Sequence, residues 1–315
     1  MNAERFRTTF DIPESKDKIT YNDNLTFIGS CFSENIANRM KLLKFNTLAN
    51  PFGIMFNPLS IENCLRQIIN GRLYKPEDLI EYNDKWLSLD HHGDFSDIDQ
   101  QACLEKINMA VQNAYMTIRN TSFVFITLGT SVVYFYNKTG LPVGNCHKIP
   151  ANNFTPRRIS LIEAANSLDN IVQMISKESH NSHIIFTVSP IRHWKDGAVE
   201  NQRSKSTLIL AIDEICRKYG NKVGYFPAYE IMNDELRDYR FYADDMLHPS
   251  TTAVDYIWDI FKKTYVDESC HERIMLTDKL NKALAHRFEH TPSATEKAKF
   301  DEYVEGLRKQ LESIL

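Results

Sequence analysis

Short apolar runs alternate with amphipathic stretches over most of the chain. Residues 25–29 (LTFIG) form an apolar run that ends in glycine, which is typical of a buried parallel strand. Residues 123–128 (FVFITL) and 184–188 form similar runs, and shorter strands are predicted at 46–49 and 222–226. Since these runs alternate with helix candidates, the pattern predicts repeated β-α-β units and a parallel central sheet.

Helix candidates separate the strands. The first spans residues 33–44, with Ile36, Met40 and Leu43 on one face and Ser33 as its N-cap. Others are predicted at residues 58–70, 101–119, 160–177 and 199–218, and a last core helix is predicted from Pro249 onward. Helices on both faces of a mostly parallel sheet make an α/β fold, a three-layer α/β/α sandwich.

Two segments interrupt this alternation, and a tail follows it. Residues 71–100 are polar, aromatic and weakly periodic, which is typical of an insertion or lid, and residues 137–157 are predicted to be a second, irregular insertion. Beyond residue 265 the chain is charged and helical. We therefore predict a domain at 1–265 and a helical C-terminal extension at 266–315, which forms either a packed helical pair or a homodimer contact.

Composition and charge exclude several classes of protein. The chain has 315 residues, 43% of them hydrophobic, which excludes global disorder, and its net charge of −4 argues against a nucleic-acid binder. It has no run of about 18 apolar residues, so no membrane span is expected, and its N-terminus lacks the apolar core of a secretory signal. Six cysteines without CxxC pairs predict a reduced, cytoplasmic protein without a structural zinc site.

Four places along the chain carry residues suited to catalysis. They are residues 29–32 (GSCF) after the first strand, Gly53 in a turn, residues 129–131 (GTS) after a central strand, and residues 244–250 (DDMLHPS) before the last core helix. In a parallel sheet, such strand ends meet at one edge. A thiol at a helix N-terminus is stabilised as thiolate by the helix dipole and by free backbone N–H groups. Asp245 can hold one imidazole nitrogen of His248 and leave the other free as a base.

Each of these features also has a purely structural interpretation. A single cysteine after a strand is commonly a core residue, glycines commonly form turns, and an Asp-x-x-His pair is commonly a cap or a surface pair. Their occurrence together, in this order and at strand ends, favours a catalytic site.

These segments resemble the GSCFA family, whose name is read here as Gly29-Ser30-Cys31-Phe32, with Ser33 in place of the family's alanine. The resemblance covers about residues 5–265 and includes NPFGIMFNP, TLGTSVVY, TVSPIRH and RDYRFYADDMLHPS. The family is similar to the SGNH, or GDSL-type, hydrolases. This implies a flavodoxin-like sandwich with a nucleophile after the first strand and Asp-x-x-His near the end.

The resemblance assigns roles residue by residue. Cys31 stands where the SGNH nucleophile stands, two residues after glycine, and Ser30 is the alternative nucleophile. His248 is the base and Asp245 its orienting acid. The third block departs from the family pattern, because Ser131 replaces an asparagine. The oxyanion hole is predicted from three positions, Gly53, Gly129 and Ser131, together with the backbone N–H of the nucleophile.

Four further residues are predicted to bind substrate: Arg192, His193, His92 and Asn57. Arg192 offers a planar fork for a carboxylate or phosphate, and its alternative is a structural role. Residues 90–94 (DHHGD) have metal-ligand residue types without a fixed ligand spacing, and we predict no metal. A lid contact or a surface turn is the expected role of that segment.

The expected function is acyl transfer or ester hydrolysis through a thioester on Cys31. The substrate would be a small acyl ester or thioester, with a carbohydrate implied by the resemblance alone, and acyl-CoA is a candidate donor. No cofactor is required. Two alternatives stay open: a ligand-binding protein on a degenerate SGNH scaffold, and a serine esterase that uses Ser30.

Overall fold

The chain folds as alternating strands and helices, as a computed structural model shows for residues 8–288 and 291–314. The strands of this part are β1 (Asn24–Gly29), β2 (Asn46–Ala49), β3 (Ile80–Tyr82), β4 (Lys85–Leu87), β5 (Phe123–Leu128), β6 (Val132–Tyr136), β7 (Phe154–Arg158), β8 (His183–Val188) and β9 (Val223–Phe226). Its α-helices are α1 (Cys31–Leu42), α2 (Pro58–Ile69), α3 (Gln100–Ile118), α4 (Leu161–Glu178), α5 (Gly197–Tyr219), α6 (Ala228–Glu230), α7 (Thr251–Tyr265), α8 (His271–Ala285) and α9 (Ala294–Glu312).

Five parallel strands form the central sheet, in the order β2-β1-β5-β8-β9. Counting these strands along the chain gives 2-1-3-4-5, the order of flavodoxin-like folds. The register sets Gly29 of β1 against Thr127 of β5, and Thr127 against Thr187 of β8. The carboxyl ends of the strands therefore lie at one edge, where such sheets bind ligands.

Side chains of the strands alternate between two apolar layers. Phe27 and Phe125 pack into a core with α1 and α7 on one face of the sheet. Ile28, Val124 and Ile126 pack into a second core with α2, α3, α4 and α5 on the other face. Because both faces are covered by helices, the predicted three-layer sandwich is confirmed.

The end of β1 is closely packed against β5. Gly29 has a φ of +137°, and a Cβ atom at this position would lie 2.1 Å from the Thr127 carbonyl oxygen. Glycine is the residue that can adopt this backbone conformation and leave room for the neighbouring strand. The turn that leads into α1 depends on this glycine.

An antiparallel hairpin lies within the first predicted insertion, and the second insertion connects the two strands of another hairpin. β3 pairs with β4 in the first, and β6 pairs with β7 at the second. The prediction of irregular structure through residue 157 is wrong, because β7 begins at Phe154. Pro156 is tolerated in β7 because this strand belongs to a two-stranded hairpin with an unpaired edge.

The two insertions are joined to each other by backbone hydrogen bonds. The N–H groups of Gly144 and Asn145 donate to the Leu89 carbonyl oxygen at 2.8 and 3.1 Å. The N–H of His92 donates to the Phe52 carbonyl oxygen at 2.8 Å, beside the carboxyl end of β2. The insertions therefore lie next to the edge of the sheet where the predicted site residues converge.

The C-terminal helices pack as a pair. Leu276 and Ala283 of α8 form a small apolar cluster with Val304 and Leu307 of α9, separate from the two large cores. The Asn281 side chain donates to the carbonyl oxygen of Leu42, at the end of α1 (2.8 Å). Among the helices of the described residues, none combines the length and the apolar character needed to cross a membrane.

Candidate active site

Helix α1 begins earlier than the sequence predicts, at Cys31. Ser30 is the N-cap, and its side chain accepts a hydrogen bond from the Phe32 N–H (3.3 Å). The prediction of Ser33 as N-cap is wrong, since this residue lies inside the helix and is buried. Cys31 is the first residue of α1, so its thiol lies in the turn where backbone N–H groups are free.

The thiol of Cys31 is half-buried, and opposing effects act on it. Burial is the largest of them and raises the pKa of the thiol. The backbone N–H groups of Phe32 and Cys31 act in the opposite direction, as does the charge of Lys205, whereas Glu34 raises the pKa further. Because the net change is upward, the resting thiol is protonated at neutral pH and needs a base to become a nucleophile.

Asp245 and His248 form a hydrogen-bonded pair in the loop before α7. One carboxylate oxygen of Asp245 accepts from the backbone N–H groups of Leu247 and His248, both at 2.9 Å. The other oxygen lies 2.5 Å from Nδ1 of His248. These three hydrogen bonds, with the two from the backbone foremost, lower the pKa of Asp245 to about 2. The carboxylate therefore stays ionised and leaves Nε2 of His248 as the nitrogen available to a substrate.

A second histidine lies beside this pair. The ring centroids of His193 and His248 are 5.9 Å apart, and Phe56 stands on the other side of His193 at 6.2 Å. Partial burial lowers the pKa of His193, and the charges of Lys205 and His248 lower it further. The loop after β8 and the loop before α7 thus meet at the carboxyl edge of the sheet.

The structure adds a buried lysine to the predicted residues. Lys205 of α5 is fully buried, and its ammonium donates to the carbonyl oxygen of Ser189, just beyond β8 (2.8 Å). Its Nζ lies 5.6 Å from the ring centroid of Tyr229. Burial and the charge of Arg192 lower the pKa of Lys205 to about 7, while Cys31 acts in the opposite direction. Burial is therefore the main influence on this amine, as it is on the Cys31 thiol.

Two of the predicted oxyanion-hole N–H groups already have partners. The N–H of Gly53 donates to the Asn50 carbonyl oxygen (2.7 Å), and the N–H of Gly129 donates to the Phe56 carbonyl oxygen (2.7 Å). Gly53 has a φ of +82°, and a Cβ there would lie 2.1 Å from Cβ of His92. Both glycines thus form close turns in this structure, and their role as donors to an oxyanion stays a prediction.

Ser131 is also engaged by its neighbours. It is fully buried, and Ser204 of α5 accepts from its N–H (2.7 Å) and lies 3.1 Å from its hydroxyl oxygen. Thr130 contacts the same Ser204 hydroxyl at 3.0 Å. Ser204 therefore links the end of β5 to α5, one residue before Lys205. Whether Ser131 donates to an oxyanion is a prediction that requires this network to rearrange.

The predicted substrate-binding residues divide into two groups. Asn57 is the N-cap of α2, and its side chain accepts from the Ser60 N–H (2.9 Å), which is a structural role. His92 lines a cavity of about 480 Å³ between the two insertions. Arg192 lines a cavity of about 560 Å³ beside α5, and its buried Nε makes no hydrogen bond within the described residues.

Asp90 has a structural explanation in the first insertion. Its half-buried carboxylate accepts hydrogen bonds from Tyr74 (2.8 Å) and Asn63 (3.0 Å). Over residues 8–288 and 291–314, no three His, Cys, Asp or Glu side chains are arranged to hold a metal ion.

The fold brings the predicted residues to one edge in two groups. One group is Cys31 with Lys205, whose charge acts to lower the pKa of the thiol. The other is the Asp245–His248 pair with His193, whose ring centroid lies 5.9 Å from that of His248. In the part of the chain that the structure describes, no hydrogen bond joins the Cys31 thiol to His248. The contact between nucleophile and base therefore stays a prediction.

Comparisons with known proteins identify the family. The GSCFA family matches residues 24–261, so the chain belongs to the GSCFA family. No curated protein matches the chain.

Two solved structures are similar in part. One is a family two carbohydrate esterase from Clostridium thermocellum in complex with cellohexaose, with 14% identity and a TM-score of 0.35. The other is the acetyl xylan esterase Est2A from the rumen bacterium Butyrivibrio proteoclasticus, with 12% identity and a TM-score of 0.37. The matches cover 87% and 80% of this chain, and 67% and 65% of the respective structures.

Proposed function

We propose that the protein is an SGNH-like enzyme that hydrolyses or transfers an acyl ester through a thioester on Cys31. The Asp245–His248 pair carries the proposal, because its geometry is that of an orienting carboxylate and a base. The loop that holds the pair and the helix that begins at Cys31 lie at the same edge of the sheet.

The reaction requires a proton to move before attack. Nε2 of His248 accepts the thiol proton, and Sγ of Cys31 attacks the acyl carbonyl carbon. The imidazolium then gives the proton to the departing alcohol or thiol, which leaves an acyl thioester on Cys31. Water, or an alcohol or amine acceptor, attacks the thioester with His248 again as the base. Asp245 holds the imidazole and balances its positive charge.

The substrate class is a small acyl ester or thioester. Some of the side chains that line the cavity between the insertions, among them His92, Asn83 and Asn145, offer hydrogen bonds to a hydroxylated acceptor. These amide and imidazole groups suit a sugar or a similar polyol, and a carbohydrate ester is the substrate we propose first. An acyl-CoA donor is a second candidate substrate.

The test is a covalent adduct on Cys31. The full chain is incubated briefly with p-nitrophenyl acetate and, separately, with acetyl-CoA, and intact-mass spectrometry with peptide mapping locates the acyl group. We expect an adduct on Cys31 that is lost in Cys31→Ala and forms at least about a hundredfold more slowly in His248→Ala. Cys216→Ala, which removes another half-buried thiol, is the matched control.

Substitution of Asp245 tests the role of its carboxylate. Asp245→Asn should slow acylation by about 10² or more, because it loses the charge that orients and stabilises the imidazolium. Asp244→Asn changes the exposed neighbouring carboxylate and should leave the rate unchanged. Equal rates in the two variants would contradict the role of the Asp245–His248 pair.

A ligand-binding protein is the second candidate function. It is favoured by the raised pKa of Cys31 and by the hydrogen bonds that already occupy the N–H groups of Gly53 and Gly129. This alternative predicts slow alkylation of Cys31 and retention of a ligand without turnover. An absence of acyl adducts from both donors, with the protein folded, would select it.

A further inference from the structure

A cavity of about 560 Å³ lies beside the first part of α5, and three arginines line it. They are Arg158 at the end of β7, Arg192 in the loop after β8, and Arg203 of α5. The volume is in the range of cavities that bind small molecules. Neither Cys31 nor His248 is among the described residues that line it, so the cavity is separate from the proposed reaction centre.

Arg192 has more hydrogen-bonding capacity than the described residues use. A guanidinium carries five N–H donors. One terminal nitrogen of Arg192, Nη2, donates to the carbonyl oxygen of Ala198 at 3.5 Å, which is long for a hydrogen bond, and the buried Nε makes none within the described residues. Because a buried donor without an acceptor costs free energy, Arg192 is suited to an acceptor that a ligand brings.

The two other arginines share a single carboxylate. Nε of Arg158 lies 4.0 Å from Oε2 of Glu200, and Nη1 of Arg203 pairs with Oε1 of the same side chain. Three guanidinium groups and one carboxylate leave two positive charges at the cavity. A phosphate monoester carries a charge of about −1.5 to −2 at pH 7, whereas a carboxylate carries a single negative charge. A phosphate therefore balances the charge of the cavity better than a carboxylate does.

The cavity also has an apolar side. Leu161 at the start of α4 lines it together with Val199 and Leu210 of α5, and the last two side chains are largely exposed to solvent. Covering such side chains with an apolar group removes them from water, which is favourable. Because charged and apolar side chains line the same cavity, the ligand that fits both has an anionic head group and an apolar chain.

We propose that this cavity binds a phosphate monoester that carries an apolar chain. The guanidinium of Arg192 donates to the phosphate oxygens as a planar fork, and the chain covers Val199 and Leu210. This site goes beyond the proposed function, because its ligand does not need to react with Cys31. Binding should therefore persist in Cys31→Ala.

Isothermal titration calorimetry of the full chain with hexyl phosphate measures the binding. Arg192→Met removes the guanidinium donors and keeps a similar side-chain length. It should weaken binding at least about tenfold, because charge-assisted hydrogen bonds to the phosphate are lost. Arg217→Gln is the matched control. It removes an exposed arginine of the same helix, one that pairs with Asp213, and should bind hexyl phosphate as the wild type does.

Two further probes and a second variant test the head group and the chain separately. Methyl phosphate lacks most of the chain and hexanoate lacks the second negative charge, so each should bind at least about tenfold more weakly than hexyl phosphate. Val199→Asp places a carboxylate on the apolar side and should weaken binding of hexyl phosphate by about the same factor. Since Val199 is exposed, this variant should fold even if Arg192→Met does not.

The outcomes separate this site from the enzymatic function. Equal affinities of wild type and Arg192→Met, or no binding of hexyl phosphate to the wild type, would overturn the site, even where an acyl adduct forms on Cys31. If Arg192→Met does not fold, unchanged binding by Val199→Asp overturns it. Hexanoate that binds as tightly as hexyl phosphate would overturn the assignment of a phosphate. Binding that is lost in Arg192→Met and kept in Cys31→Ala supports the site, even where no donor acylates the protein.

Discussion

Ser30 and Cys31 are adjacent, yet the structure gives their side chains different surroundings. Ser30 is almost fully buried, and its hydroxyl is used to cap α1. The thiol of Cys31 is only half-buried, in the first turn of the same helix. This difference favours the thiol over the hydroxyl as the nucleophile, which residue types alone left open.

Replacement of Ser30 tests this assignment. Ser30→Ala should lower the free energy of unfolding by about 1 kcal/mol, the usual cost of losing an N-cap, and should leave the acyl adduct on Cys31 in place. Urea unfolding and peptide mapping measure the two effects. Fluorophosphonate labelling that survives Cys31→Ala and disappears in Ser30→Ala would instead identify a serine esterase.

Lys205 should make stability depend on pH. Its pKa in the folded chain is about 7, below the ordinary value of 10.5, so between these values the unfolded chain binds more protons. The destabilisation is fully present below pH 7 and is lost as the pH rises toward 10.5. Lys205→Met should therefore be more stable than wild type at pH 6.5, by on the order of a few kcal/mol, and this difference should shrink by pH 9.5.

Urea unfolding at the two pH values measures this change. Lys218→Met serves as the control, because its ammonium is partly exposed and paired with Asp169. A stability difference between wild type and Lys205→Met that does not vary with pH would contradict a depressed pKa for the buried amine.

Sequence patterns anticipated some of these residues and missed others for a physical reason. Asp245 and His248 are close in the chain, so their pairing depends on one short loop and could be predicted. Lys205 was not recognised, although it falls on the helix face that carries Leu208 and Ile212. A charged residue on an apolar face is the signal that would have identified it, but its proximity to Cys31 depends on tertiary packing.

At the scale of elements, the boundaries of helices and strands were harder to predict than the presence of these elements. The predicted strand at 123–128 has the observed bounds, because a continuous apolar run leaves few alternatives. The start of α1 was placed late, because Ser30 and Ser33 are both good caps and the Ser30–Phe32 hydrogen bond decides between them. β7 was missed because its Pro156 and two arginines are unusual in a strand, and because Phe154 is the one buried residue among its five.

A substitution of Gly29 by alanine, which adds one methyl group, tests the close contact between β1 and β5. Gly29→Ala should lower the free energy of unfolding by more than about 2 kcal/mol, since its Cβ would overlap the Thr127 carbonyl oxygen at an unfavourable φ. Gly224→Ala in β9 is the matched control, because the nearest atom to its Cβ would be 4.0 Å away. Equal urea midpoints for the two variants would contradict the close packing at β1.

At the scale of the whole molecule, the layered sheet followed from the alternation of apolar runs and amphipathic helices. The insertions did not, because their structure rests on contacts such as those between Leu89 and residues 144–145, far apart in the chain. The prediction of the candidate site from the sequence is limited in the same way. Strand ends were predicted to converge, while the buried partners of the converging residues depend on helices from other parts of the chain.

The C-terminal helix pair should behave as a unit apart from the site. Leu307→Ala should destabilise the contact between α8 and α9 by about 2–3 kcal/mol, since it leaves a cavity in their small apolar cluster. Hydrogen exchange should accelerate in these two helices, while alkylation of Cys31 keeps its wild-type rate. Leu284→Ala, at an exposed position of α8, is the control. Slower alkylation in Leu307→Ala would show that the pair supports the site.

The carbonyl oxygen of Leu89 makes the two insertions a single module for protein engineering. It accepts hydrogen bonds from the N–H groups of both Gly144 and Asn145. Shortening either insertion alone would therefore leave hydrogen-bonding groups of the other without partners. Variants that change this part of the molecule should therefore exchange the segments at 71–100 and 137–157 together. The sheet, with Cys31 and His248 at its edge, can then stay unchanged while the two insertions beside it are replaced.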